Sequence, residues 1–224
     1  MGPRVVGAAV WRIAWQHPST AAPAIGGGKA SDAGWQGITR KQMGKAGGYA
    51  MKWVSEDFKN LRAMFIFELR MMLSAEEQLV RALPHMVVRA TDKQLRQAFQ
   101  SQLQDTEVHV QRLEQILSEQ KRTNPSITTI GPEKCKAMTA LVAETDDLII
   151  DARDAWVRDA GLIADAQRVE HYEIASYGTL RQWAQVLGEV GVAELLDMTL
   201  KEAGHTDHLL TSIAERVNAT AMVA

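Results

Sequence analysis

Two glutamates three residues apart, Glu170 and Glu173, lie in the stretch Val169-Glu-His-Tyr-Glu-Ile-Ala-Ser-Tyr-Gly-Thr-Leu180. Read as a helix, this stretch puts both on an apolar face with Leu162, Ala166, Val169, Tyr177, Leu180, Ala184 and Leu187. Carboxylates on a core-facing stripe are costly unless something neutralises them. Other segments repeat the pattern. Leu61, Phe65, Glu68, Met72, Glu76, Leu79, Leu83 and Met86 step by threes and fours, which puts Glu68 and Glu76 on an apolar helix face. Leu195, Met198, Glu202, Thr206, Leu209 and Ile213 form a third stripe, with His205 at its edge. Glu202 and His205 have the Glu-x-x-His spacing that lets two side chains reach one ion. A fourth stripe, Leu95, Phe99, Leu103, Thr106, Val110, Leu113 and Leu117, is flanked by Glu107 and His109 on opposite sides.

Few cations are expected beside these acids. Arg62 is more than three turns from Glu76, and Arg70, Arg168 and Arg181 point mostly away from the stripes. Carboxylates packed together without a counter-charge repel one another and rise in pKa, and one or two divalent ions would relieve this. Glu76, Glu107, Glu170, Glu173, Glu202 and His205 are therefore the candidate ligands. Oxygen-rich ligation with a little imidazole suits iron or manganese better than zinc. His171 lies between Glu170 and Glu173 in sequence but roughly opposite them on the helix, so it reads as an interface or hydrogen-bonding residue. His85 and His208 read as surface. Tyr177, one turn from Glu173, can donate to a ligating carboxylate or serve as an ordinary core tyrosine.

These groups need long helices to hold them. Helix A runs from a Ser55 cap to about residue 90, bent at Pro84. Thr91 and Gln94 form a capping-box pattern opening helix B, about 92–121. Asn124, Pro125, Gly131 and Pro132 break the chain before a short helix at about 133–151. Helix C spans about 155–187 and stops at Gly188; helix D spans about 191–217. No segment alternates with period two, so no sheet is expected. Short A–B and C–D links and a long B–C link predict an all-α, ferritin-like antiparallel four-helix bundle whose crossover contains the short helix. The acids then meet near mid-height, and Gly178 lets a neighbouring helix approach closely.

The chain has 224 residues and a net charge of −2. Residues 1–50 hold six Lys/Arg, one acid and ten of the 16 glycines, with no helical period. The remainder nets −7, which argues against a nucleic-acid surface. Residues 1–50 read as a disordered extension to a 51–224 domain. A basic, acid-poor organellar transit segment is one alternative. Another is translated leader, with Met51 as the biological start and Gly47-Gly48 encoded by a purine-rich ribosome-binding sequence. No apolar run reaches a membrane span. The single cysteine, Cys135, fits a reducing, cytoplasmic compartment and reads as a small core residue.

Val157-Arg-Asp-Ala160 and Ala166-Gln-Arg-Val-Glu-His-Tyr-Glu-Ile-Ala-Ser-Tyr-Gly-Thr-Leu180 resemble the most distinctive block of the YciE/YciF family of bacterial ferritin-like stress proteins. Ala75-Glu76, Gln78-Leu79, Arg81-Ala-Leu-Pro84, Cys135-Lys-Ala-Met138, Thr206-Asp207 and Leu210-Thr211 support the resemblance, which covers about residues 54–216. It implies a four-helix ferritin-like fold, a homodimer and a role in stress. It also implies core glutamates like those of rubrerythrins and manganese catalases, with Glu76 as the helix A ligand and Glu170 and Glu173 as the helix C pair. Gln104 and Ala203 stand where the family often has acids, so helix B offers only Glu107 and His109. Glu202 with His205 offsets the change on helix D. Two functions follow as expectations: a metal protein acting on peroxide or iron, or a non-catalytic helical stress protein with a vestigial site. An iron-storage cage has no support in the residues.

Overall fold

The computed structural model describes residues 58–125 and 134–223. The expectations for residues 1–50 and the Ser55 cap fall outside the described residues. Within them are five α-helices and no strands: α1 (Leu61–Arg89), α2 (Lys93–Thr123), α3 (Lys136–Asp151), α4 (Ala155–Val186) and α5 (Val190–Ala221). α1 packs along α2 and α4 along α5, each pair joined by three residues. α3 lies against α4 and α1, and α2 also meets α5.

Side chains and backbone set the helix ends. Asn60 accepts from the Ala63 amide at 2.9 Å and opens α1. Pro84 lies inside α1 and faces solvent. α2 is capped by Asp92 rather than Thr91: Asp92 Oδ1 accepts from the Gln94 and Leu95 amides. The Thr91 and Asp92 amides instead donate to the buried carboxylate of Asp159 on α4. α4 ends as expected at Gly188, whose φ of 76° is one that side chains with a Cβ adopt at a cost. The Glu189 amide then returns to Ala184 O and the Gly188 amide to Gln185 O.

The core runs through Phe65, Leu69, Met72, Leu95, Phe99, Leu113, Leu162, Tyr177, Leu196 and Leu210. The stripes expected on α1 and α4 are buried largely as read. Those on α2 and α5 are buried only in part. α2 buries Leu95, Phe99, Gln102, Thr106, His109, Leu113, Ile116 and Gln120, again in steps of three and four. α5 buries Leu196, Thr199, Ala203, Thr206, Leu210, Ile213 and Val217, leaving Met198 and Leu209 exposed. Leu95, Phe99, Thr106 and Leu113 of the expected α2 stripe and Thr206 and Ile213 of the α5 stripe are buried as read, but Leu103, Val110 and Leu117, and Leu195, Met198 and Leu209, each lie one residue, about 100°, from a buried position. A Cβ at Gly178 would meet nothing within 4 Å, whereas one at Gly161 would lie 2.6 Å from the Leu148 side chain. The close approach is therefore made at Gly161, where α3 crosses α4. Cys135 is fully buried, as expected.

Candidate metal centre

Three helices bring Glu76 (α1), His109 (α2) and Glu173 (α4) together. One ligand atom from each lies within 4.8 Å of the others, and all three side chains are buried. Tyr177, one turn beyond Glu173, donates its hydroxyl to Glu76 Oε1 at 2.5 Å, one of the two roles the sequence left open for it. Its ring meets that of His109 edge-on, with centroids 6.2 Å apart. Glu76 Oε2 and His109 Nδ1 are 3.6 Å apart. That is beyond a hydrogen bond, and each atom is buried without a hydrogen-bond partner. Two orphaned donor atoms facing one another, with a third carboxylate alongside, fit a shared cation. Glu76, His109 and Glu173 could hold one.

The surrounding fields point the same way. Burial first, then the charges of Glu76 and Glu170, hold the Glu173 carboxyl well above its ordinary range. Burial, then Glu76, Asp207 and Asp105, push Glu170 up to about 9. Burial and the charges of Glu76 and Glu173 raise the Tyr177 phenol, which keeps it a donor. Burial alone would lower His109, but the flanking carboxylates of Glu76 and Glu202 outweigh it and its pKa is raised. An imidazolium here would partly balance the acids, and metal binding would have to displace that proton.

The other expected ligands are not brought to this cluster. Glu170 is buried next to it, but its Oε1 accepts from Gln102 Nε2 at 2.6 Å. Glu202 lies at the rim, a third exposed, in a two-pronged pair with Arg112 and 3.0 Å from His109 Nε2. Glu107 and His205 are exposed. On α2 and α5 the inward residues at this level are His109 and Ala203 instead. Glu68 is half-buried and its carboxyl is raised by burial. His171, His85 and His208 are exposed, as expected.

Sequence reasoning named His109 beside the α2 stripe but left it out of the ligand set, and it missed Arg112. His109 was legible as part of a run with Gln102, Thr106 and Leu113, but polar residues at a seam weaken its apolar signal. Arg112 sits one turn past His109 and supplies a cation at a level where few were expected. Arg62, Arg168 and Arg181 pair elsewhere, with Glu189, Asp165 and Asp197.

The family described as "Domain of unknown function (DUF892)" matches residues 60–222. The chain belongs to the DUF892 family. Among its relatives, Protein YciF of Escherichia coli K12 is 40% identical over 158 residues, covering 70% of this chain and 92% of that one. The crystal structure of the E. coli stress protein YciF superposes with a TM-score of 0.65 at 38% identity, covering 72% of this chain and 98% of that one. YcfI of Rhodopseudomonas palustris, described as a proposed structural protein, gives 0.64 at 34% identity, covering 70% and 96%. The resemblance drawn from the 157–180 block thus extends through a DUF892 domain that holds all five helices. Among the described residues, no helix of this DUF892 domain is long and apolar enough to cross a membrane.

Proposed function

We propose that this chain is a ferritin-like stress-response protein that binds one iron or manganese ion through Glu76, His109 and Glu173. In this reading α1, α2, α4 and α5 form an antiparallel four-helix bundle, with α3 in the crossover. Residues 51–224 are the working domain and residues 1–50 an extension of it. The protein acts as a cytoplasmic homodimer without nucleic acid. The observation that carries the metal reading is the pair of unpartnered buried atoms, Glu76 Oε2 and His109 Nδ1, facing each other beside Glu173. Carboxylates and one imidazole form a donor set suited to iron and manganese.

When bound, such an ion supplies Lewis-acid and redox chemistry toward peroxide or iron species. The chain's own part is then to hold the donors, exclude water and fix a proton. Phe65, Leu69, Met72 and Leu113, all buried, belong to the apolar core that walls the cluster from solvent. Tyr177 keeps its hydroxyl hydrogen on Glu76 Oε1, which turns the other oxygen, Oε2, toward His109.

Elemental analysis of protein purified without chelator, beside a Glu173→Ala variant, tests the proposal. The expected result is stoichiometric iron or manganese in the parent and loss in the variant. A parent that holds no metal and gains none on reconstitution would sink it. A second reading, a structural stress protein with a vestigial site, has its own support. Gln102 already pairs with Glu170 and Arg112 with Glu202, so two of the candidate acids are satisfied by the protein itself. Peroxide consumption by loaded protein separates the two readings.

A further inference from the structure

The imidazole of His109 has a different neighbour at each nitrogen. Nδ1 faces Glu76 Oε2 at 3.6 Å and is unpartnered; Nε2 lies 3.0 Å from Glu202 Oε2. Glu202 is itself gripped by both terminal nitrogens of Arg112, with Nη2 donating to Oε1 at 2.9 Å. Arg112 Nη1 also donates to Thr199 Oγ1 at 3.1 Å, which ties the guanidinium to α5. Arg112 is mostly buried, at 15% side-chain exposure, so this is not a solvated surface pair.

We infer that Glu202 is not a ligand but the positioning residue for His109, clamped by Arg112 so that Nε2 carries the proton and Nδ1 is presented to Glu76 and Glu173. The inference rests on the metal reading above and deepens it. A carboxylate that accepts from one ring nitrogen fixes both the tautomer and the ring plane, leaving the other nitrogen free for an ion. Glu202 cannot also reach that ion, because the imidazole stands between them. Both of its oxygens already accept from the Arg112 guanidinium.

One ion per chain is expected because a single set of donor atoms, from Glu76, His109 and Glu173, is brought together. On α5 the inward residues near Glu170 are Ala203, Thr206 and the carboxylate of Asp207, whose Oδ1 accepts from Gln167 Nε2 at 3.1 Å. Glu170 Oε1 is held by the Gln102 amide. Arg112 thus supplies the fixed positive charge on the α2–α5 side of the cluster.

The test uses the full chain stripped with chelator, then titrated with Mn²⁺ by calorimetry. Nitrogen-15 NMR of the His109 ring is recorded in the metal-free and Zn²⁺-loaded forms. Parent protein should bind one Mn²⁺ and show a protonated, hydrogen-bonded Nε2 in both forms. Glu202→Ala and Arg112→Ala should still bind one ion, but about 10- to 100-fold more weakly. The Ala variant at 202 should lose the hydrogen-bonded Nε2 signal in both forms. Glu202→Gln, which can still accept from Nε2–H, should recover most of both. Two Mn²⁺ per chain, one of them lost in Glu202→Ala, would make Glu202 a ligand and overturn the inference. So would an unchanged tautomer and unchanged affinity in that variant. If the parent takes up no metal yet shows the Nε2 proton and loses it in Glu202→Ala, the metal reading fails while the positioning role stands.

Discussion

Glu170 is a residue whose protonation should govern how the metal-free protein responds to pH. In metal-free protein its carboxyl is pushed up to about 9, against an ordinary 4.5, by burial and by the acids beside it. A raised folded-state pKa means that the protonated form suits the fold. The contribution is complete below the unfolded value and is lost as pH rises toward the folded one. Chelator-stripped protein should therefore become easier to unfold in urea between pH 5 and 9. Glu170→Gln should flatten that dependence and be more stable than the parent at pH 8 by about 1–3 kcal/mol. The new amide can both accept from Gln102 Nε2 and donate to the unpartnered Gln102 Oε1. A steeper loss in the variant would show that Glu170 is charged and needed in the metal-free fold. Glu173 is raised by the same causes, so some slope remains after Glu170 is neutralised.

The helix ends give a prediction of their own. Gly188 closes α4 at φ 76° with two backbone bonds returning to the last turn. Nothing lies within 4 Å of a Cβ built there, so any cost of Gly188→Ala comes from the backbone alone. Thermal unfolding should register about 1 kcal/mol of destabilisation with no change in metal content. Legibility in the sequence also divided by element. α4 announced itself, because Glu170 and Glu173 interrupt an otherwise apolar stripe, and α1 did so through Glu76. α2 hid its inward face because that face carries Gln102, Thr106, His109 and Gln120, while Leu103, Val110 and Leu117 lie beside it, half-buried. On α5, Met198 and Leu209 drew the stripe outward, although both are exposed. A polar seam and an apolar rim together reverse the usual rule that the most apolar stripe faces in. Glu107 and His109 read as flanks of the α2 stripe and His205 as the edge of the α5 stripe, and of these only His109 turns inward.

At the scale of the whole molecule, helix order and lengths were readable because breakers lie in the connections: Asn124 and Pro125 after α2 and Gly188 after α4. Less visible was how the α1–α2 pair is tied to the rest of the protein, since the tie depends on Asp159, an acid inside a helix with no sequence signature. Its carboxylate takes the Thr91 amide at 2.9 Å and the Asp92 amide at 2.6 Å. Asp92 in turn caps α2 and binds Arg216 near the end of α5. A three-residue link between helices is ordinarily among the first places to exchange its amide hydrogens with solvent. Here two of those amides are held by a fully buried side chain 67 and 68 residues further along the chain. In deuterium they should exchange as slowly as the centres of α1 and α4, and Asp159→Asn should speed both together while leaving mid-helix amides slow. The short α1–α2 link, by position the loosest part of the pair, would then report when the two halves of the protein part company.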